Sequence, residues 1–521
     1  MEAIKNDANT ELVDTEVLII GAGMTGLILA CDLQRRGINF RIIEKMPEYF
    51  PGSRGKGITP RSLEVLDDLD VLGKLLPYGY FHPVMREYDG ATVIRDFDVH
   101  EGIAPTPTTP YASPLWTPQF RVERILREQL AKDGKHVELA TELSYIEQNK
   151  NTVTATVQKN GEAQQIKCLY MIASDGGRSF VRKFLNVEFL GETRDSVRML
   201  VGDVHLDGLD HEHTHMWSKH PDGFFALTPF PKTGIFQFQA QVAPDFEEAP
   251  TLELFQQIFQ KRTGMDIKLY DPTWLSLFKV NIRMVERSVI GRIFIAGDAA
   301  HVHSPTGGQG MNTGIQDAYN LGWKLGLVLH GANPKLLETY EEERLPVAAS
   351  VLKLTTKLLD KFQSFARVLP TSAADNERFQ LTLNYRESSL SRQATKLQLP
   401  IQAGDRAPDA PLKDENSNSI TLFDLFRGPH FSLLFTGDTI AHELIQLKDK
   451  YPDVKLFTID PSGNPGNHTD CYTDAEGYFK SSYGAQPNMI YLIRPDGYVG
   501  FIGESVQELV AYFSELGYEN N

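Results

Sequence analysis

The sequence predicts an α/β fold that carries an inserted antiparallel sheet and a separate C-terminal domain. Three observations predict it. The chain opens with a strand, a glycine-rich turn, a helix and a second strand, which is the order of a parallel βαβ unit. Short alternating runs of β-branched and aromatic residues then indicate antiparallel strands between residues 186 and 285. A second βαβ-like pattern begins near Ala403.

Composition restricts the class of protein. The 521 residues include 52 Lys and Arg against 68 Asp and Glu, and the net charge of −16 opposes non-specific binding to nucleic acid or anionic membranes. The most apolar stretch, residues 17–30, is too short to span a bilayer, and the polar N-terminal segment predicts no targeting signal. Cys31, Cys168 and Cys471 are too dispersed for a disulfide framework or a Cys-based zinc site. We expect a cytoplasmic protein without nucleic-acid or membrane partners.

The first motif, Gly21-Ala22-Gly23-Met24-Thr25-Gly26, directly follows the strand at residues 16–20 and opens a helix. Gly21 allows the tight turn, Gly23 lets the backbone approach a pyrophosphate, and Gly26 permits close packing of helix on strand. The helix N-terminus offers N–H groups to the diphosphate. Glu44 ends the next strand, where its carboxylate can accept hydrogen bonds from a ribose. This context favours a dinucleotide site over an ordinary glycine-rich turn, but it does not separate NAD from FAD.

The second motif favours a flavin. The strand at residues 292–296 ends on Gly297-Asp298, where the carboxylate can accept a hydrogen bond from a sugar-chain hydroxyl. The run Gly307-Gly308-Gln309-Gly310-Met311-Asn312 then places small residues and N–H groups at the start of a helix. Such a helix end suits the negative charge of a reduced isoalloxazine ring. The alternative is a glycine-rich loop that only joins strand to helix.

A third motif, Ala-Ser-Asp-Gly-Gly-Arg-Ser-Phe-Val-Arg at residues 173–182, also ends a strand and starts a helix. The three motifs, in this order, resemble the class A flavoprotein monooxygenases, the aromatic hydroxylases with the p-hydroxybenzoate hydroxylase-like fold. The resemblance runs from about residue 14 to the end of the chain. It is strongest to the branch of phenol hydroxylase, pentachlorophenol monooxygenase and the aromatic polyketide hydroxylases, which carries a thioredoxin-like C-terminal domain.

The resemblance implies a Rossmann-like FAD-binding domain and a set of FAD contacts. The first motif would contact the adenosine and pyrophosphate, the second the ribityl chain and flavin ring, and the third both FAD and NAD(P)H. The implied cofactor-binding residues are Gly21, Gly23, Met24, Thr25, Gly26, Glu44, Lys45, Arg54, Gln119, Asp175, Arg178, Gly297, Asp298, Pro305, Gly308, Gly310, Met311 and Asn312.

The resemblance also implies the reaction. NADPH or NADH would reduce FAD, O2 would add at flavin C4a to give a hydroperoxide, and an electron-rich ring of a phenolic or polyketide-like substrate would be hydroxylated. No metal is needed. The sequence identifies no residue that ionises the phenol. Lys56 stands near the position where phenol hydroxylases of the family carry an acidic residue, which argues against simple phenol as the substrate.

The patterns and the resemblance together divide the chain into domains. The FAD-binding domain takes residues 1–80, 100–185 and 281–365, and the substrate-binding sheet takes 81–99 and 186–280. Residues 366–402 form a connector, and 403–521 form a thioredoxin-like domain without a CxxC motif. Without that motif the last domain is expected to give structural support or dimer contacts, so a homodimer stays open.

Several other interpretations stay open. The fold also permits Baeyer–Villiger oxidation or modification of an antibiotic. A nicotinamide dehydrogenase explains only the first motif, and a peroxiredoxin-like role would depend on Cys471 alone. A halogenase is disfavoured because no two tryptophans form a Trp-x-Trp arrangement.

Three side-chain groups have two interpretations each. His211, His213 and His215 alternate as metal ligands on one strand face would, but their hydrophilic surroundings favour an exposed segment. The aromatic residues within 224–230 and 236–238 are expected either to wall a planar substrate pocket or to form the core of the sheet. Arg54, Arg178 and Arg182 predict a local basic patch for dinucleotide phosphates within the acidic protein.

Overall fold

The computed structural model describes residues 12–304, 308–363, 376–437, 442–460 and 470–517. In the first part of the chain the helices are α1 (Met24–Arg35), α2 (Pro60–Asp68), α3 (Leu72–Leu75), α4 (Gln119–Ala131) and α5 (Phe180–Phe184). The strands of this part are β1 (Thr15–Ile20), β2 (Phe40–Ile43), β3 (Gly57–Ile58), β4 (Val84–Asp89), β5 (Thr92–Asp98), β6 (Leu115–Trp116), β7 (Thr141–Gln148), β8 (Val153–Lys159) and β9 (Glu162–Ala173).

The middle of the chain is mostly strand. It contains one α-helix, α6 (Leu252–Thr263), among the residues described. Its strands are β10 (Phe189–Leu206), β11 (His213–Trp217), β12 (Phe225–Pro229), β13 (Ile235–Val242), β14 (Leu269–Val285), β15 (Val289–Ile290), β16 (Ile293–Ile295) and β17 (His301–Val302).

The last part begins with two long helices, α7 (Gln309–Leu329) and α8 (Thr339–Gln363). The shorter helices that follow are α9 (Leu422–Phe426), α10 (His442–Lys450), α11 (Tyr478–Tyr483) and α12 (Val506–Glu515). The strands are β18 (Arg392–Ala394), β19 (Pro411–Lys413), β20 (Ser419–Thr421), β21 (Phe431–Thr436), β22 (Val454–Asp460), β23 (Cys471–Thr473), β24 (Met489–Ile493) and β25 (Val499–Gly503).

The first sheet has the strand order β15-β16-β9-β1-β2, and β7 and β8 continue antiparallel from the first half of β9. β2, β1, β9 and β16 are parallel, with Ile20 opposite Ala173 and Ala173 opposite Ile295. Alternate residues of β1 lie in cores on both sides of the sheet, as a parallel sheet requires. Because the strands end in register, the loops after β1, β9 and β16 leave the sheet at one edge.

The second sheet has the order β17-β14-β10-β13-β12-β11-β4-β5 and is antiparallel apart from the β11–β4 pair. One face is an aromatic core against α6, in which Phe225, Phe236 and Phe238 are fully buried. The core interpretation of these phenylalanines is therefore the one that the structure supports. The intervening side chains, Gln237 and Gln239 among them, lie on the opposite face, because successive side chains of a strand alternate.

The third sheet has the order β18-β25-β24-β21-β22-β23-β19-β20. β21 and β22 are parallel and enclose α10 in the chain, and β24 and β25 are antiparallel neighbours. The βαβ pattern predicted after Ala403 is therefore present, while the assignment of this unit to the thioredoxin-like folds stays a prediction.

The third sheet shares its core with α7. Trp323 and Leu327 of α7 lie in one buried cluster with residues of β21, β24 and α12. Beside this cluster the carboxylate of Glu343 in α8 is bound by Lys324 at 2.7 Å and by Arg494, which follows β24, at 2.6 Å, and all three side chains are fully buried. The C-terminal unit is thus joined to the long helix that begins at the second motif.

Two searches of the described residues bear on the class of protein. None of their helices combines the length and apolar character that crossing a bilayer would need. They contain no group of three or more His, Cys, Asp or Glu side chains arranged to hold a metal ion.

Candidate active site

The three predicted motifs meet at the edge where β1, β9 and β16 end. Gly21 has a φ of +99°, and a Cβ on it would lie 2.5 Å from the carbonyl oxygen of Ser174. A Cβ on Gly26 would overlap the carbonyl oxygen of Gly21. A Cβ on Gly23 would meet no protein atom within 4 Å. The first and third glycines are therefore required by the packing of the motif, and the space beside the second is open, as a bound pyrophosphate would need.

The N-terminus of α1 is also open to a bound pyrophosphate. Gly23 is its N-cap residue and no side chain accepts a hydrogen bond there from the first turn. Met24 and Thr25 begin the helix, and Thr25 lies between Gly297 of the second motif and Gly314 of α7. Uncapped N–H groups and the positive end of the helix dipole together form an anion-binding site.

Glu44 points back to the glycine-rich turn. Its carboxylate oxygens accept hydrogen bonds from the backbone N–H groups of Ala22 at 3.1 Å and Met46 at 3.0 Å. The side chain is half-buried, and each carboxylate oxygen has lone pairs left for a ribose hydroxyl. Lys45, the next residue, is exposed at the same edge.

The third motif combines a structural arginine with residues that face the cleft. Asp175 accepts hydrogen bonds from the backbone N–H groups of Phe180 at 2.6 Å and Val181 at 3.2 Å. Arg178 is exposed in the loop between β9 and α5. The prediction that Arg182 belongs to a basic patch is wrong, because its guanidinium is buried and donates to the carbonyl oxygens of Ala299 and Gly177 at 2.7 and 2.8 Å.

Asp298 follows β16 and is exposed in the open cleft. The protein groups around this exposed side chain raise the pKa of its carboxyl, and the nearby His301 and Arg54 oppose that shift. A carboxyl group of this kind can accept a hydrogen bond from a hydroxyl of a bound sugar chain. Pro305, also predicted to contact the cofactor, lies outside the described residues.

The run that opens α7 borders the same cleft. Gly308 is the N-cap residue, with a φ of +66°, and as a glycine it has no side chain to cap the first turn. A Cβ on Gly310 would lie 3.5 Å from the ring of His303. Met311 is half-buried against Gly55, and the buried Asn312 donates to the carbonyl oxygens of Gly57 and Gly308 at 2.9 and 2.7 Å. The positive end of the α7 dipole therefore lies beside the loop at residues 55–57.

A buried acid that the sequence did not identify holds this region together. Asp317 of α7 accepts hydrogen bonds from the N–H of Gly297 at 2.9 Å and from Nε2 of His301 at 2.7 Å. Its other oxygen accepts from Arg344 of α8 at 2.7 Å, and Arg344 donates onward to the hydroxyl of Tyr385 at 2.8 Å. Arg344 and the hydrogen bonds from His301 and Gly297 hold the pKa of Asp317 well below its usual range despite its burial. Asp317 thus fixes the loop that carries Asp298.

The loop at residues 50–57 lies between the first and second sheets. Its Ser53 donates its N–H to Asp203 of β10 at 2.7 Å, and its carbonyl oxygen accepts from Gln237 of β13 at 2.6 Å. Gln119, at the start of α4, accepts from the N–H of Gly55 at 3.1 Å. Arg54 is exposed in this loop, with its guanidinium 4.5 Å from the ring centroid of Phe50. The loop therefore joins the polar face of the second sheet to the region where the three motifs meet.

Lys56 and Asp203 are the ionisable groups with shifted pKa values on this polar face. Burial lowers the pKa of Lys56 to about 7, and the Asp203 carboxylate acts in the opposite direction. Burial likewise raises the pKa of Asp203 to about 7, against its hydrogen bonds and the charge of Lys56. Perturbed pKa values in a cleft are typical of functional sites.

The histidines of the predicted alternating group are structural. His213 contacts the carboxylate of Asp210 at 2.8 Å, and His215 contacts the backbone oxygen of Asp210 at 2.9 Å and the hydroxyl of Tyr88 at 2.8 Å. His211 packs on Phe236 with ring centroids 4.6 Å apart. The interpretation of this group as an exposed segment is only partly right, because His215 is fully buried.

Comparison with known proteins places these features in one family. The family model for the FAD binding domain matches residues 14–355. A flavin-dependent monooxygenase of Mycobacteroides abscessus is 40% identical over 512 residues, which cover 96% of this chain and 99% of that protein. Pentachlorophenol 4-monooxygenase of Sphingobium chlorophenolicum is 32% identical, over 95% of this chain and 94% of that protein.

A solved structure agrees over the whole chain. The ternary complex of aklavinone-11 hydroxylase with FAD and aklavinone superposes with a TM-score of 0.83 at 25% sequence identity. The match covers 98% of this chain and 100% of that one.

Proposed function

This chain belongs to the FAD binding domain family, and from that premise we propose that it is a monooxygenase that uses FAD, NAD(P)H and O2 to hydroxylate a phenolic or aromatic polyketide-like compound. One observation carries the proposal. The loops after β1, β9 and β16 leave one edge of a parallel sheet, glycines stand at the N-caps of α1 and α7, and the loop at residues 50–57 is hydrogen-bonded to the polar side of an antiparallel sheet. The names of the relatives and of the solved neighbour support the same reaction class.

The residues present fit FAD. We assign the adenosine and pyrophosphate end to Gly23, the start of α1 and Glu44, because the glycine leaves open space beside uncapped N–H groups. We assign the ribityl and flavin end to Asp298 and the start of α7, because an exposed carboxyl group and the positive end of a helix dipole lie there. Bound FAD would supply the redox chemistry that transfers one oxygen atom from O2 to the substrate.

The protein's own residues would bind and orient the cofactor and the substrate and shield them from water. Asp317 holds the loop of Asp298, and Asn312 holds the start of α7 to the loop that carries Lys56. The second sheet covers the loop at residues 50–57 with Thr228, Gln237 and Gln239, and the half-buried amide of Gln239 suits hydroxyl and carbonyl substituents of a planar ring system. Exclusion of water by such a cover protects reactive oxygen chemistry.

A substrate screen tests the proposal. The purified protein should take up FAD and turn yellow, and one or more phenolic compounds should stimulate its NAD(P)H oxidation together with oxygen uptake. The product should gain one oxygen atom by mass, and its NMR spectrum should show an intact ring carrying a new hydroxyl group. Insertion of oxygen beside a ketone would indicate a Baeyer–Villiger reaction instead. Nicotinamide reduction without oxygen uptake, or a protein that takes up no FAD, would contradict the proposal.

Assembly and location belong to the same proposal. A homodimer and a cytoplasmic location remain predictions. Light scattering of the purified holoenzyme tests the first, and fractionation of the native cell tests the second.

A further inference from the structure

The amino group of Lys56 is held by neutral groups. Its Nζ donates to Oγ1 of Thr228 in β12 at 2.9 Å and to Oε1 of Gln239 in β13 at 2.8 Å. The indole ring of Trp116 in β6 lies 5.3 Å from Nζ. Among the residues that the structure describes, no carboxylate lies within ion-pair distance of this nitrogen. Because an ammonium group has three donors, one N–H remains for a group that the protein does not supply.

A half-buried ammonium without a neighbouring anion is costly. Removing such a charge from water is compensated only when an opposite charge and full hydrogen bonding replace the solvent. The charged group that acts on Lys56 is Asp203 of β10, and the side chains in contact with it from β6, β12 and β13 are neutral. Asp203 itself accepts a hydrogen bond from the N–H of Ser53, which precedes Arg54 in the chain. Among the residues that the structure describes, no negative charge therefore lies next to Nζ.

Lys56 also lies between the start of α7 and the second sheet. The preceding residue, Gly55, packs against Met311 at the start of α7, and the following residue, Gly57, accepts from Asn312. The ammonium thus lies between the proposed flavin end of the cleft and the polar face of the second sheet. A ring placed there would bring a hydroxyl oxygen to the free N–H.

We propose that Lys56 binds an acidic hydroxyl group of the aromatic substrate and, as a neutral amine, accepts its proton. This inference rests on the proposed function. The O–H bond of the substrate breaks, its electron pair stays on oxygen, and the proton forms the third N–H bond of Lys56, so that an ammonium–oxyanion pair replaces two neutral groups. The substrate class follows: a planar compound whose hydroxyl is acidic enough to exchange its proton with an amine. Burial lowers the pKa of Lys56 to about 7, and a base is most effective when its pKa is near the working pH.

The test uses quinizarin, a planar dihydroxyanthraquinone whose ionised form absorbs at longer wavelength than its neutral form. It is titrated into the oxidised FAD-loaded enzyme without NAD(P)H, so that no turnover occurs. In the wild type the apparent pKa of bound quinizarin should fall by about 1 unit or more, because a positive charge at hydrogen-bond distance stabilises the anion. In Lys56→Met the shift should disappear. Exposed Lys396 offers a matched control, and Lys396→Met should behave as the wild type.

Proton counting separates a base from a fixed charge. At about pH 8 calorimetry in buffers of different ionisation enthalpy should show no net proton release when quinizarin binds the wild type, because the proton moves to Lys56. Lys56→Arg should also bind the anion, but it should release about one proton to the buffer, because a guanidinium cannot accept it.

Three results would overturn the assignment. They are an unshifted quinizarin spectrum in the wild type, an equal shift in Lys56→Met, or release of one proton by the wild type. Circular dichroism and FAD content check that each variant is folded. Failure of the proposed function is seen separately, as a protein that loads no FAD or consumes no NAD(P)H with any phenolic compound.

Discussion

Replacing Asp317 by Asn tests whether this carboxylate organises the cofactor loop. The side chain is almost fully buried and accepts hydrogen bonds from Gly297, His301 and Arg344. An amide of the same shape has one acceptor oxygen and one donor group. It can therefore satisfy either the Gly297–His301 side or Arg344, and it must present N–H groups to donors on the other side.

The expected cost follows from the burial of the pair. Leaving Arg344 buried beside a neutral group should lower the free energy of unfolding by about 3–5 kcal/mol. Loss of one hydrogen bond to a charged acceptor is worth about 1.5–3 kcal/mol. If the loop of Asp298 loosens by the smaller amount, the Kd for FAD rises about tenfold. The double variant Asp317→Asn with Arg344→Met should recover part of the stability, because it removes the uncompensated cation.

Urea unfolding of the apoprotein and quenching of flavin fluorescence measure the two quantities. Glu128→Gln is the matched control, because Glu128 forms an exposed ion pair with Arg124 at 2.8 Å, and such pairs contribute about 0–1 kcal/mol. If Asp317→Asn had the stability and the FAD affinity of this control, the assigned role of Asp317 would be refuted.

Further predictions concern the glycine motif, the acid limb of stability and the C-terminal unit. Gly23→Ala should fold but bind FAD at least ~10-fold more weakly, because the methyl group enters the space assigned to the pyrophosphate. A Cβ on Gly73 would also lie in open space, and the control Gly73→Ala should leave the Kd for FAD unchanged. Burial lowers the pKa of His430 to about 4. Below about pH 6.5 the unfolded chain therefore binds a proton that the folded protein does not bind. The free energy of unfolding should fall between about pH 6.5 and 4, by about 1.4 kcal/mol at pH 5.5. Urea unfolding of His430→Asn should show a correspondingly shallower loss, and an unchanged slope would count against this account. Removing residues 403–521 should abolish flavin retention, measured by absorbance after gel filtration, because Trp323 and Glu343 lose their buried partners; full retention would show that the unit is dispensable.

The meeting of the three motifs could be predicted from the sequence. Each motif directly follows a strand, and the carboxyl ends of parallel strands lie at one edge of a sheet. The structure places Ile20, Ala173 and Ile295 in register at that edge. This part of the site depends on local sequence and on a general rule of topology.

The groups that support the site could not be predicted in the same way. Lys56 meets Thr228 and Gln239 across 172 and 183 residues of chain, and Asp317 meets Arg344 across 27. No local spacing relates such partners. A charged residue in a helix pattern usually predicts a solvated face, so Asp317 gave no signal of its burial.

One signal in the sequence was available for the polar face. Gln237 and Gln239 alternate with phenylalanines in β13, and such alternation distinguishes the two faces of a strand. It predicts an apolar face against a core and a polar face toward another layer. Which face met the substrate cleft depended on the position of α6, which packs on the phenylalanine side.

The most direct test of the central claim is the origin of the oxygen atom in the product. The FAD-loaded enzyme, NAD(P)H and a phenolic compound that stimulates its oxidation are incubated under 18O2, and the product is examined by mass spectrometry. The proposed function predicts one labelled oxygen atom in each product molecule and none when the label is supplied as water. A product that takes its oxygen from water, or NAD(P)H oxidation that yields only hydrogen peroxide with every phenolic compound, would contradict it.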